Sequence, residues 1–309
     1  MKKKILVAVG ECVYSQDAVR YVARMSSAAK NIMYTLFNVQ PLVPNSFVEA
    51  AREDPEIRAE VDALIEKNKT AARCAVERFR DLMAAEGIPA DRIEITTRSL
   101  QKGIAKDILS EAEQGDHNAI VLARRGLTPN RDFFIGTIAG KVIEHALKIP
   151  VWVAAGKSTP MNMLLSVDGS QNSFRVVDHV IQLVGPHPDL RVTLFHVPIH
   201  SRHYYPVNFE REHPRLEQVL QRKDEERMEI FYEKACGSLK AAGLGQGQIE
   251  TRVSAERYDV STGILREAKT GRYGTVVVGR RGESEAFFTG RIAARLVQKI
   301  TDQALWVVP

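Results

Sequence analysis

The sequence predicts two tandem α/β domains, each a five-stranded, mainly parallel sheet with helices on both faces. Three observations carry this. The chain has 309 residues, close to twice a common domain size. Its halves repeat the same landmarks in the same order, and within each half short apolar runs alternate with amphipathic stretches. Ile5-Leu-Val-Ala-Val-Gly10 parallels Met163-Leu-Leu-Ser-Val-Asp168, and Ser15–Val22 parallels Ser173–Val180, both at an offset of 158. Val121–Gly126 parallels Val277–Gly282 at 156, and Pro150–Val153 parallels Ala304–Val307 at 154, matching Trp152 to Trp306. A slowly drifting offset with landmarks in register points to duplication with small insertions and deletions. The repeated unit is a whole domain, so the chain is not a solenoid.

In the first half, Lys4–Val9 fits a buried strand. Ser15 is placed as the cap of a helix whose Ala18, Val19, Val22 and Ala23 share one face. Thr35–Val39 is a second strand, and Glu56–Glu86 a long charged helix closed by Gly87. Ile93–Arg98 is a third strand, Gly103–Gly115 a helix, Ala119–Ala123 a fourth strand, Gly136–Ala146 a helix and Val151–Ala154 a fifth strand. The second half repeats this with strands near Met163–Val167, Arg191–His196, Ile249–Val253, Thr275–Val278 and Leu305–Val308. The polar segment Gly156–Pro160 serves as the linker, giving domains of residues 1–157 and 158–309.

Composition removes several function classes. Hydrophobic residues make up 44% and charged residues 26%, a globular balance. No apolar run approaches the ~18–20 residues of a membrane helix. The N-terminal MKKKILVAVG has too short an apolar stretch for a signal peptide and reads as the first strand. Three widely spaced cysteines without a CxxC argue against a disulfide framework or a four-cysteine zinc site, and fit a cytoplasmic location. A net charge of +5, with no concentrated basic stripe, gives no reason to expect a nucleic-acid partner.

In such sheets ligands bind at the carboxyl ends of strands, where loops lead into helix N-termini. The loop after strand four runs Ala123-Arg-Arg-Gly126, nine residues, then Gly136-Thr137; its counterpart runs Gly279-Arg-Arg-Gly282, seven residues, then Gly290-Arg291. Glycines there let the backbone approach a phosphate, a hydroxyl such as that of Thr137 can donate to one, and Arg125 and Arg281 can add charge-assisted bonds.

These loops, with Ile5–Val9 and Tyr14-Ser15 in the first half and Val167-Asp168-Gly169-Ser170 in the second, make the whole chain resemble a tandem member of the universal stress protein (UspA) family. The resemblance implies UspA-like, adenine nucleotide alpha hydrolase-like domains. In the family's nucleotide-binding branch the pattern is Gly, two residues, Gly, nine residues, Gly, then Ser or Thr, with an Asp ending strand one. The first copy keeps Gly126, Gly136 and Thr137 but has Ala123 for the first Gly and Gly10 for the Asp. The second keeps Asp168, Gly279, Gly282 and Gly290, but its loop is two residues shorter and Arg291 replaces the hydroxyl. The first is thus the better phosphate cradle and the second the better adenosine end. By residue correspondence the resemblance adds Val39, Val197, Ile138 and Ala139 as contacts.

The resemblance implies an ATP-binding regulator of the stress response, with Mg²⁺ left open. A dimerisation or interaction module with degenerate sites is the alternative reading, and a weak ATP-hydrolysing enzyme the next. No GxSxG, HExxH or Ser/His/Asp set is present, so at most slow hydrolysis is expected. The resemblance also implies pairing of the last strands as an intramolecular pseudo-dimer, with homodimerisation open. Other features read plainly: Gly156-Lys157-Ser158 as linker, His196, His200 and His203 as a solvated loop rather than a metal site, and Gln221–Arg227 as an exposed helix face. Cys12 reads as a small buried residue, and Phe133-Phe134 and Phe287-Phe288 as core.

Overall fold

The structure is a computed structural model. It describes residues 2–10, 13–124, 137–154, 161–198, 200–201, 209–255, 259–280, 291–300 and 302–309. The described residues form two compact units. The first draws on Met1–Arg24, Asn31–Gly126 and Gly136–Val151, the second on Met25–Lys30 and Trp152–Pro309.

The first unit runs β1 (Lys3–Ala8), α1 (Val13–Met25), β2 (Ile32–Gln40), α2 (Asn45–Glu53), α3 (Pro55–Ala85), β3 (Ile93–Ser99), α4 (Ile104–Gln114), β4 (Ala119–Ala123) and α5 (Thr137–His145). Its strands lie in the order β3-β2-β1-β4 and pair in parallel, with Ile5 between Tyr34 and Ala119. Ile5, Leu6 and Val7 are wholly buried. This is why the first strand is a continuous apolar run rather than an alternating one. Asp54 caps α3, accepting from the Glu56 and Ile57 amides at 2.8 and 3.4 Å, and Pro55 fills the first turn. After α3, Gly87 takes a φ of +94°, a conformation costly for other residues.

The second set of elements is β5 (Val151–Ala154), β6 (Asn162–Ser166), α6 (Gln171–Leu183), β7 (Arg191–His196), α7 (Phe209–Glu212), α8 (Pro214–Ala241), β8 (Ile249–Val253), α9 (Val260–Thr270), β9 (Thr275–Gly279), α10 (Arg291–Lys299) and β10 (Ala304–Val308). From Trp152 onward β5 belongs to the second unit, whose strand order is β5-β10-β9-β6-β7-β8. Divided between the units, the described strands therefore number four and six rather than five each. The fifth strand of the first repeat covers β10, which would otherwise be a bare edge. Trp152 and Trp306 stack there with ring centroids 3.7 Å apart and planes 3° from parallel, and the indole of Trp152 donates to His179 Nε2 at 2.8 Å.

The duplication extends to the long helices. Buried Val61, Ala72, Ala75, Phe79 and Met83 of α3 recur 156 residues later as buried Glu217, Met228, Phe231, Ala235 and Leu239 of α8. Two details differ from expectation. The first helix begins at Val13, so Ser15 lies inside it and does not cap it; its Oγ instead accepts from the Gly10 amide at 3.0 Å and ties the turn back to β1. The short helices α2 and α7 were not foreseen.

Candidate functional site

Parallel strands that end together leave a crevice beyond their carboxyl ends. In the first unit this crevice is a cavity of about 210 Å³. Val9 and Gly10 at the end of β1, Phe37, Asn38 and Val39 of β2, and Ala123 of β4 form one side. Ile104 and Ile108 of α4 face them with Ile138 and Ala139 of α5, so the walls are mainly apolar. Two internal bonds hold the polar groups in place. Asn38 Nδ2 donates to the Val9 carbonyl at 2.8 Å, and Gly10 N–H donates to Ser15 Oγ at 3.0 Å. A Cβ on Gly10 would meet nothing within 4 Å, so this position opens into free space.

Of the residues expected from the sequence, Val39, Ala123, Ile138 and Ala139 all line this cavity. Thr137 opens α5. Arg125, Gly126 and Gly136 lie outside the described residues, as do Arg281, Gly282 and Gly290. Gly279 ends β9, Arg291 opens α10, and Val197 is buried just beyond β7. Cys12, His203, Phe133-Phe134, Phe287-Phe288 and Gly156-Lys157-Ser158 also lie outside the described residues.

The second unit builds the same corner from different chemistry. Asp168 stands where the first unit has Gly10, and its Oδ1 accepts from the Ser170 amide at 3.0 Å and from Ser173 Oγ at 2.7 Å. The Asp168 amide donates to Ser173 Oγ at 2.8 Å, as Gly10 does to Ser15. His196 stands where the first unit has Asn38. Its Nδ1 lies 3.0 Å from the Val167 carbonyl, repeating the Asn38 bond, and its Nε2 lies 2.8 Å from Asp224 Oδ2. The other carboxylate oxygen of Asp224 accepts from the Arg227 guanidinium. Gln221–Arg227 is therefore not simply an exposed face: Asp224 is 4% exposed.

Two of the three histidines, His196 and His200, are not solvated either. His196 is 3% and His200 6% exposed. His200 Nε2 lies 2.9 Å from Glu210 and 3.5 Å from Glu217. Burial pushes the Glu217 carboxyl up, but hydrogen bonds from Ser201 and Gln221 and the nearby His200 outweigh it and hold the group below its ordinary range. Among the described residues no group of three or more His, Cys, Asp or Glu is arranged to hold a metal ion. The carboxylate partners of His196 and His200 come from α7 and α8, outside the histidine segment.

The model of the Universal stress protein family matches residues 1–155 and again 161–309. The chain belongs to the universal stress protein family. It is a tandem member, with the family's domain present twice. A universal stress protein from Archaeoglobus fulgidus DSM 4304 shares the fold at 15% identity and a TM-score of 0.64, covering 99% of this chain and 97% of that one. A putative universal stress protein from Pseudomonas aeruginosa UCBPP-PA14 is 15% identical with a TM-score of 0.54, covering 99% and 93%. A universal stress protein solved in complex with cAMP covers 49% of this chain and 99% of its own, at 18% identity and a TM-score of 0.36. No curated protein matches the chain in sequence. Among the described residues, no helix of this universal stress protein is long and apolar enough to cross a membrane.

Phe37, Asn38, Ile104 and Ile108 as cavity residues, and Asp224 as the partner of both His196 and Arg227, were not expected from the sequence. One signal was present. Asn38 and His196 stand at the repeat offset of 158, both polar at the end of an otherwise buried strand.

Proposed function

We propose that the first unit binds an adenine nucleotide, ATP in the first instance, and that the protein acts as a cytoplasmic regulator of the stress response. The supporting observation is that four residues assigned from family correspondence, scattered from Val39 to Ala139, line one cavity at the carboxyl ends of parallel strands. Its apolar walls suit an aromatic base: Val39, Phe37, Ile138 and Leu122 would hold it by contact. The phosphates would lie toward the strand-four loop and the start of α5, where backbone amides and the helix dipole favour anions. On this reading, nucleotide binding is relayed to a partner surface. Mg²⁺ and slow hydrolysis remain parts of the reading to be measured.

Calorimetry with ATP, with and without Mg²⁺, should give saturable heat. No heat and no thermal shift at millimolar ATP would sink the proposal. Gly10→Phe should weaken ATP binding more than tenfold, about 1.4 kcal/mol or more. Its Cβ has open space, so the ring fills the cavity without straining the turn. Unchanged affinity would place the ligand elsewhere.

The second reading, an interaction module with degenerate sites, draws on the adjacent final strands β5 and β10 with their stacked tryptophans. On this reading they make the chain an intramolecular pseudo-dimer, with homodimerisation as a further step. Sedimentation of the chain with and without ATP distinguishes it, since a pure module keeps one assembly state in both.

A further inference from the structure

Within the duplicated corner, four positions differ in a concerted way. The first unit has Gly10, Asn38, Asn68 and Ala71; the second has Asp168, His196, Asp224 and Arg227. The correspondence of the last two follows from the burial pattern of α3 and α8, which repeats at 156. Gly10 and Asn38 line the open crevice, whereas Asn68 and Ala71 lie on α3 outside its lining; charged or aromatic residues replace all four in the second unit.

Those replacements bind one another. Asp224 of α8 joins His196 at 2.8 Å on one carboxylate oxygen and Arg227 on the other, and His196 anchors to the Val167 carbonyl at 3.0 Å. Arg227 then lies over the turn that follows β6. Gly169 there has a φ of +74°, and a Cβ on it would fall 2.9 Å from Arg227 Cγ and 3.2 Å from Cδ and Nε. The space beside the turn is thus taken by the arginine side chain, whereas the neighbouring position in the first unit, Gly10, faces nothing within 4 Å. A buried carboxylate is costly unless paired, so the imidazole and guanidinium hold Asp224 in place and Asp224 holds them. One oxygen of Asp168, Oδ1, is held as well, by Ser170 and Ser173.

We infer that the second unit's crevice is closed by its own side chains, His196, Asp224 and Arg227 forming a plug. The chain therefore takes up one equivalent of nucleotide, and the second crevice is a latent site gated by Arg227. The single equivalent rests on the nucleotide reading of the first unit; the plug does not.

Calorimetric titration with ATP tests both parts separately. Wild type should bind one equivalent. Grafting the first unit's residues onto the second, His196→Asn with Asp224→Asn and Arg227→Ala, should add a second equivalent. That equivalent should survive Gly10→Phe, which closes the first crevice. Wild type binding two equivalents, or a folded graft binding no more than wild type, overturns the inference. If wild type binds no ATP, the nucleotide reading of the first unit fails, yet the difference between graft and wild type still decides the plug. Circular dichroism and a thermal melt report folding of the graft. Should it unfold, Arg227→Ala alone is judged by the same increment, since Asp224 keeps its bond to His196 in that variant.

Discussion

At the residue scale, the site depends on which polar groups are satisfied within the protein. Asp259 illustrates the arithmetic. It caps α9, accepting from Thr262 N–H at 3.2 Å, from the Ser261 and Thr262 hydroxyls, and from Arg295. Burial pushes its carboxyl up, but these bonds outweigh it and hold the group far below its ordinary range. A depressed carboxylate stabilises the fold above the unfolded value of about 3.9, and that stability is lost as pH falls through the folded value. Asp259→Ala should therefore cost about 1 kcal/mol at pH 7, with the gap from wild type narrowing below about pH 4. Urea unfolding at both ends of the range checks this, and a gap that stays constant at low pH would exclude an ionised cap. Individual contacts were the least legible level in the sequence. The pairing of His196 with Asp224 joins residues 28 apart in the chain, and no local pattern encodes it.

At the element scale the sequence was read well where burial is two-sided. The expected strands Ala119–Ala123, Val151–Ala154 and Arg191–His196, all largely buried, have the bounds found; the mostly exposed Ile249–Val253 does as well. A strand covered on both faces is apolar throughout or bounded by clear turn residues. Helix α3 was equally plain, with its charged face and terminal glycine. Helices α2 and α7 were not: the four residues of α7 make barely one turn, too few for a period to show, and α2 carries no glycine at its start of the kind that marks α5. The exit of α3 gives a clean test. Gly87 has a φ of +94° and open space around its Cβ position, so Gly87→Ala carries only the backbone cost. About 1 kcal/mol is expected, measured by urea unfolding; a neutral substitution would mean the turn relaxes to another conformation.

At the scale of the whole molecule, two copies of one domain have become unequal. One copy of the corner is open and neutral and the other is filled and charged, a difference visible in the sequence as Gly10 against Asp168 but opposite in apparent meaning. The retained Asp suggested the better adenosine end, and one of its oxygens is bonded to its own turn. Packing around Trp152 carries a further prediction. It is wholly buried against Trp306 and His179. Trp152→Ala should destabilise the second unit by about 3–5 kcal/mol, seen as an earlier urea transition. Expressed alone, residues 161–309 lack β5 and leave the β10 edge bare, so they should self-associate at micromolar concentration. A monodisperse, stable fragment would show that β10 needs no cover.

The same strand bears on synthesis. Trp152 must wait for Trp306, which lies at the far end of the second repeat. At roughly 5–20 residues per second, the intervening ~150 residues take about 8–30 s to emerge. Throughout that interval the growing chain carries an apolar strand with one edge, the one β10 covers, still bare. A ribosome stalled midway through the second repeat should therefore display β5 to chaperones, and crosslinking from position 152 on such stalled chains should fall away once β10 has left the tunnel.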